Sequence, residues 1–274
     1  MGCAGSIKKV HFSPQESTMS FKGKVVIVTG ASSGIGAATA RQLATAGADL
    51  VAVGRNQNHL NQVAMDCATL GKMPLLVVAD LTKKDDVKRV IDNTINQYGK
   101  LDVLINCAGF GSLAYFDTED AMKDFDRTMD LNLRAVVNLT HAAEPHLAAT
   151  KGNVVNVSSV AAINNMAAEW PNLWSYCVAK AGVDQFTRCI AWVLAPKEIR
   201  VNSVNPGPVR TRFLENVGCK DIEQQCLEKL AGHTVLNRVS EAEEVADVIV
   251  FLASDKAKGV TGASWLVDNG YDLC

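Results

Sequence analysis

From Lys24 onward the chain alternates between short runs of consecutive apolar residues, often β-branched, and longer stretches in which apolar residues recur every three or four positions. The short runs are KVVIVTG, DLVAVG, PLLVVAD, LDVLINCAG, GNVVNVSS, IRVNSVNPG and ASWLVDN, and they predict seven strands. Between them lie IGAATARQLATAG closed by Gly47, a stretch through Leu70, KKDDVKRVIDNTINQYG, one from about Phe125 to Ala149, one from about Ser175 to Leu194, and EAEEVADVIVFLAS, which predict about six helices. Strands apolar on both faces belong to a parallel sheet covered by helices, and right-handed crossovers wind that sheet in two directions. The expected fold is α/β, a single doubly wound domain over residues 21–274, whose ligand sits beyond the carboxyl ends of the strands.

Two segments break the pattern. Residues 1–20 form a polar leader, and proline, glycine and short helical pieces from about 207 to 239 predict a lid at the ligand edge. The leader opens MGCAGS, which fits myristoylation of Gly2 with Cys3 open to palmitoylation, although Met19 is a competing start. Membrane association is expected only if those residues are acylated. No run reaches the about 18 apolar residues of a membrane span. With 27 basic and 29 acidic residues, nothing favours nucleic acid. The eight cysteines lack a C-x-x-C and read as thiols of a reducing compartment, so the expected location is cytoplasmic. His233 with Cys219 and Cys226 has no further ligands at fitting spacing, so no metal is expected.

The first strand ends in TGASSGIG, which sets Gly30, Ser32, Ser33, Gly34, Ile35 and Gly36 immediately before a helix. Glycines let the turn bend and the backbone approach a pyrophosphate, whose charge meets free N–H groups at the helix start. In the context of a strand before and a helix after, this predicts a Rossmann-type dinucleotide site. An acidic residue at the end of the second strand would receive the ribose of NAD; here Gly54 is followed by Arg55, whose guanidinium suits a 2′-phosphate. NADPH (or NADP⁺) is therefore the expected cofactor ahead of NADH. Asp80 and Leu81 after the third apolar run are placed at the adenine, and Asn106, Ala108 and Gly109 after the fourth line the path of the cofactor, with Cys107 among them.

In WSYCVAKAG, Tyr176 and Lys180 stand four residues apart, so on a helix the phenol and the ammonium share a face. A phenol with its ordinary pKa near about 10 is a poor base at neutral pH, and a cationic neighbour lowers that value. An incidental pair on a surface helix has the same spacing, and the neighbouring motifs decide between the two. TGASSGIG, NCAG, Asn132 in LNL, NVSS with Ser159, YCVAK and NPGPVRT occur in one order on the α/β pattern. Through them the chain resembles the short-chain dehydrogenase/reductase family in its single-domain form from about Lys22 to Leu273, and looks most like the animal carbonyl-reductase branch that includes dicarbonyl/L-xylulose reductases.

The resemblance implies a catalytic set of Asn132, Ser159, Tyr176 and Lys180. Ser159 would hold the substrate oxygen, Tyr176 would pass it a proton as NADPH delivers hydride, Lys180 would also bond the nicotinamide ribose, and Asn132 would anchor a relay water. Pro206 and Gly207 would bend the chain so that Val209 and Thr211 meet the carboxamide. The implied activity is reduction of a ketone, aldehyde or dicarbonyl to an alcohol. The rivals are oxidation of a sterol, retinoid or isoprenoid alcohol, and a non-catalytic NADP(H)-binding sensor or scaffold, which would not need all four residues. A homotetramer pairing the Tyr176 helix and the last strand is also implied.

Two departures from the family stand out. Cys107 replaces a frequent Asn, and the seventeen-residue interval from Ser159 to Tyr176 is longer than usual, the excess falling in INNMAAEW. Phe110, Leu113, Ile163, Trp170, Trp174, Phe213 and Leu214 are apolar candidates for the substrate pocket.

Overall fold

A computed structural model describes residues 19–164, 166, 170–216 and 223–273. The leader with Gly2 and Cys3, part of the INNMAAEW segment, and Cys219 in the lid lie outside the described residues. Strands β1 (Val25–Thr29), β2 (Asp49–Gly54), β3 (Leu75–Val78), β4 (Val103–Asn106), β5 (Asn153–Val157), β6 (Arg200–Pro206) and β7 (Ser264–Val267) form one sheet in the order β3-β2-β1-β4-β5-β6-β7. Every neighbouring pair is parallel. The chain starts at the centre of the sheet, winds out to β3, then returns past β1 to build the other half. The reversal between β1 and β4 opens a crevice at their carboxyl ends.

Strand alternation divides the core. Val26 and Val28 face α1 (Gly34–Thr45), α2 (Gln57–Leu70) and α9 (Ala242–Ala253), while Val25 and Ile27 face α3 (Lys84–Tyr98), α5 (Ala135–Thr150) and α6 (Trp174–Leu194). These side chains are buried, as expected of strands covered on both faces. The stretch around Phe125 to Ala149 is continuous helix, but α4 (Ala121–Met129) joins α5 through a π-helical turn, Asp130–Arg134. Between β6 and α9 lie α7 (Phe213–Asn216) and α8 (Glu223–Gly232). Among the described residues no helix is long and apolar enough to cross a membrane.

At the amino end of the sheet, Asp102 is buried and accepts the Val25 N–H at 2.8 Å, with Lys100 at 2.9 Å and Lys24 at 3.7 Å. Removing this carboxylate leaves a buried N–H at the start of the central strand without an acceptor. We expect Asp102→Ala to lower the unfolding free energy by about 1.5–3 kcal/mol, read from urea midpoints. An unchanged midpoint would mean that water replaces the carboxylate at no cost.

Candidate active site

The cleft lies across the carboxyl ends of the strands and has a volume of about 490 Å³. Its floor is backbone. After Thr29 the chain turns through Gly30 (φ 65°) and enters α1 at Gly34 (φ 52°), left-handed values that favour glycine. A side chain would also have no room: a Cβ on Gly36 would stand 2.4 Å from the Gly30 carbonyl oxygen, and one on Gly30 itself would stand 2.9 Å from the Ala108 Cα. The turns after β1 and β4 therefore touch main chain to main chain. Thr29 fastens them, because its Oγ1 accepts the N–H groups of Cys107 and Ala108 at 2.9 and 3.0 Å. Thr29 was missed in the sequence, where the only signal is a hydroxyl residue just before the glycine turn.

Ser32, Ser33, Gly34, Ile35 and Gly36 line this end of the cleft, and the first N–H groups of α1 have no acceptor within the helix. That cradle fits a pyrophosphate. Arg55 lines the cleft beside it, joined by three residues that sequence reasoning missed, Asn56, His59 and Arg212. Arg212 Nη1 lies 3.1 and 3.2 Å from the His59 ring nitrogens, although the two are 153 positions apart in sequence.

Two expected contacts are placed differently. Asp80 lies two residues beyond β3, where its Oδ1 accepts from the Thr82 N–H and hydroxyl, and Ala79 and Leu81 line the cleft instead. Asn106 is buried beneath the floor, its amide donating to Asn156 Oδ1 at 2.9 Å and sitting 3.2 Å from the Thr140 hydroxyl. It faces Asn156 directly across β4 and β5, so the amides pair with each other rather than point upward. Ala108, Gly109, Pro206, Gly207, Val209 and Thr211 all line the cleft.

At the other end of the cleft, Tyr176 and Lys180 share a face of α6, with Lys180 Nζ 5.5 Å from the Tyr176 ring centroid. Lys180 is buried and its Nζ donates to the Val157 carbonyl at 2.9 Å. Ser159, just past β5, lines the cleft; its Oγ accepts the Ala161 N–H at 3.1 Å, and its hydroxyl acts on the Tyr176 phenol. With Oγ already an acceptor, its proton is free to point at the phenol oxygen. Ser158 is turned aside, donating to the Lys180 carbonyl at 3.1 Å. Asn132 sits in the π-helical turn, fully buried, and exchanges both amide groups with the Phe110 main chain at 3.1 and 2.9 Å. The structure thus uses the Asn132 side chain to fasten the loop after β4.

Electrostatically the phenol departs from the sequence expectation. Tyr176 is pushed up to about 12, chiefly by burial, with the Ser159 hydrogen bond opposing. Burial pulls Lys180 down to about 8, opposed by Cys107 and Asp184. The ammonium is thereby weakened and directed at a backbone carbonyl, so the chain's own groups keep the phenol protonated rather than lowering its pKa.

The outer wall is apolar. Phe110, Leu113, Trp170, Phe213 and Leu214 line it, with Met166 and Leu227. Ile163 instead points to solvent, and Trp174 stacks on Phe125 at 5.5 Å and donates to the Ala114 carbonyl, bracing the loop beyond β4. Trp170 of the long interval packs against Leu214, Cys226, Leu227 and Val239, so Met166 and Trp170 of that interval border the cleft.

A strand-turn-helix cradle for a dinucleotide, followed by a serine, tyrosine and lysine at one end, defines an oxidoreductase site. The family model described as enoyl-(acyl carrier protein) reductase matches residues 30–272, and the chain belongs to the short-chain dehydrogenase/reductase family. It is 35% identical to the 3-oxoacyl-(acyl-carrier-protein) reductase of Thermotoga maritima, over 92% of this chain and 99% of that protein. A Caenorhabditis elegans short-chain dehydrogenase/reductase of unknown function, solved with cofactor, superposes with a TM-score of 0.86 at 37% identity over 92% of this chain and 96% of that one. Carveol dehydrogenase from Mycobacterium avium, solved in complex with NAD, has a TM-score of 0.85 at 27% identity over 94% of this chain and all of that one. The protein is accordingly an oxidoreductase of this family, and the cofactor class is a nicotinamide dinucleotide.

Two outcomes are expected. Gly36→Ala should weaken nicotinamide dinucleotide binding at least about tenfold, since a steric cost near 1.4 kcal/mol already does so; fluorescence titration reads it, and unchanged affinity would mean the turn can yield. The second concerns Lys180, whose ammonium is disfavoured in the folded chain. The unfolded state binds that proton more tightly, so the contribution of Lys180 to stability rises with pH between about 8 and 10.5. Relative to Lys180→Met, which lacks the proton, the wild type should gain about 3 kcal/mol across that window. Denaturant curves at pH 7 and 10.5 would show it, and parallel pH dependence of the two proteins would exclude a depressed lysine.

Proposed function

We propose that the protein is an NADPH-dependent reductase of the carbonyl-reductase type, converting a ketone, aldehyde or dicarbonyl to an alcohol. The observation that carries this is the convergence of Ser159, Tyr176 and Lys180 in one apolar-walled cleft, with the Lys180 Nζ 5.5 Å from the Tyr176 ring centroid. Ser159 places a hydroxyl proton where a substrate oxygen would lie, and Tyr176 has a proton to give to that oxygen. When bound, the nicotinamide supplies the hydride to the carbonyl carbon. Lys180 lies on the inner side of the phenol, at the border of the nicotinamide end.

Arg55, Arg212, His59 and Ser32 at the outer end support NADPH over NADH, because no carboxylate closes β2 to repel a 2′-phosphate. Apolar lining supports a hydrophobic substrate of moderate size. Exposed apolar side chains on the expected assembly surfaces, Trp192 and Val193 on α6 and Trp265 and Leu266 on β7, support a homotetramer. The second reading is oxidation of a sterol, retinoid or isoprenoid alcohol, favoured by the likeness to a carveol dehydrogenase. It requires the Tyr176 phenol to take up the alcohol proton, the reverse of the transfer proposed above.

The test is nicotinamide absorbance with NADPH or NADH against α-dicarbonyls, quinones, ketosteroids and aldehydes. NADPH consumption should fall by about 10²–10⁴-fold in Tyr176→Phe, and Arg55→Asp should move the preference toward NADH. Tight NADPH binding with no turnover of any panel member would favour the sensor; turnover retained in Tyr176→Phe would remove the proposed acid.

A further inference from the structure

Asp184 lies on α6 four residues beyond Lys180 and eight beyond Tyr176, which puts all three on one helical face. It is a carboxylate 2% exposed, in a part of the core the cleft does not reach. Its partners come from β6, where alternation turns Ser203 and Asn205 toward α6 while Asn202 faces away and donates to the Val260 carbonyl. The Ser203 hydroxyl is 3.0 Å from Oδ1 and Asn205 Nδ2 is 2.6 Å from Oδ2. Asn205 Nδ2 also donates to the main-chain carbonyl of Ser159, at 3.0 Å. Ser203 in turn lies 2.9 Å from the Ser264 hydroxyl on β7.

We infer that Asp184 is a positioning residue for the reaction, fixing Ser159 through Asn205 and supplying the buried negative charge that keeps Lys180 an ammonium. Both effects follow from its place. Asn205 has a primary amide with two protons, and the contacts to Asp184 and Ser159 use both, so the carboxylate sets the orientation in which Asn205 can hold the serine carbonyl. A carboxylate and an ammonium one helical turn apart in a dry interior attract far more strongly than on a surface.

The groups that face Lys180 are few. Tyr176 and Asp184 come from its own helix and Cys107 from the end of β4; β5 presents the Val157 carbonyl, and the π-helical turn presents Asn132, which does not titrate. The Cys107 thiol is itself pushed up to about 12 by burial, so it stays neutral and Asp184 is the anion. Burial and this carboxylate act on Lys180 in opposite directions, and the carboxylate is the part that can be removed without touching the cleft.

The inference rests on the proposed reductase chemistry only for its effect on rate. The test therefore has one arm that needs no turnover. Asp184→Asn keeps shape and can still accept from Asn205, with Ser203 free to reverse its hydroxyl toward Ser264. The pKa of Lys180 would be read by NMR of the lysine ¹³Cε resonances, assigned with Lys180→Met, in the wild type and in Asp184→Asn. The resonance should titrate about one unit lower in the variant, as expected for loss of an opposite charge. Wherever turnover is measurable, the alkaline limb of the kcat/KM profile should move the same way while the melting temperature stays close to wild type. Asp184→Leu, which also releases Asn205, should lose a further tenfold or more in kcat/KM at every pH.

An unmoved Lys180 titration in a folded Asp184→Asn protein overturns the inference, whatever the activity. A moved titration in a protein that reduces no carbonyl would leave it standing and sink the reductase proposal instead. If Asp184→Asn fails to fold, Asp184→Glu, which keeps the charge, must restore both folding and the wild-type titration; folding restored without that titration also counts against it.

Discussion

The geometry of the candidate site is anchored by the hydrogen bond from the buried ammonium of Lys180 to the carbonyl of Val157. A parallel strand that stops leaves main-chain oxygens at its carboxyl edge, and a buried one needs a donor. At β5 that donor is the lysine of α6. The next residue returns the tie, since Ser158 donates to the Lys180 carbonyl, and Ser159 one step further receives Asn205 from β6. A strand end, a helix and a neighbouring strand are locked at three consecutive residues, and the serine, tyrosine and lysine keep their relative places because of that lock.

The rest of the cleft is organised by contrast. Its inner half is built from main chain, with the turns after β1 and β4 in contact through glycine and held by Thr29, so it offers N–H groups and little charge. The outer rim at β2 is the charged part, where Arg55 and Arg212 stand with His59. The opposite end is apolar apart from the Ser159 and Tyr176 hydroxyls and the Lys180 ammonium behind them. Such a gradient, from cationic rim through neutral cradle to a nearly dry pocket, orients a long ligand with its phosphates outward before any specific contact is made.

What was legible in the sequence was what local pattern controls. Seven apolar runs gave the strands, glycine spacing gave the turn into α1, and the four-residue step placed Tyr176 and Lys180 together. Side-chain direction at strand ends was not legible. Asn106 reads as a cleft residue until its cross-strand partner Asn156 is known, and Asp80 until Thr82 is seen to cap it. The pairing of His59 with Arg212 joins segments from opposite halves of the chain, and nothing local marks it. Nor could spacing show that burial would outweigh a neighbouring cation at Tyr176, since burial is a property of the whole fold.

The π-helical turn at Asp130–Arg134 has a consequence for how the two halves of one long helix are used. Adding a residue to a helical turn advances every later side chain by about 100°. The segment before the turn packs on α6, and the segment after it packs on α3 and the sheet. A regular helix of the same length would keep one face throughout and could serve only one of these neighbours well. The phase shift lets one helix present two faces in succession, the loop side to α6 and the far side to α3 and the sheet.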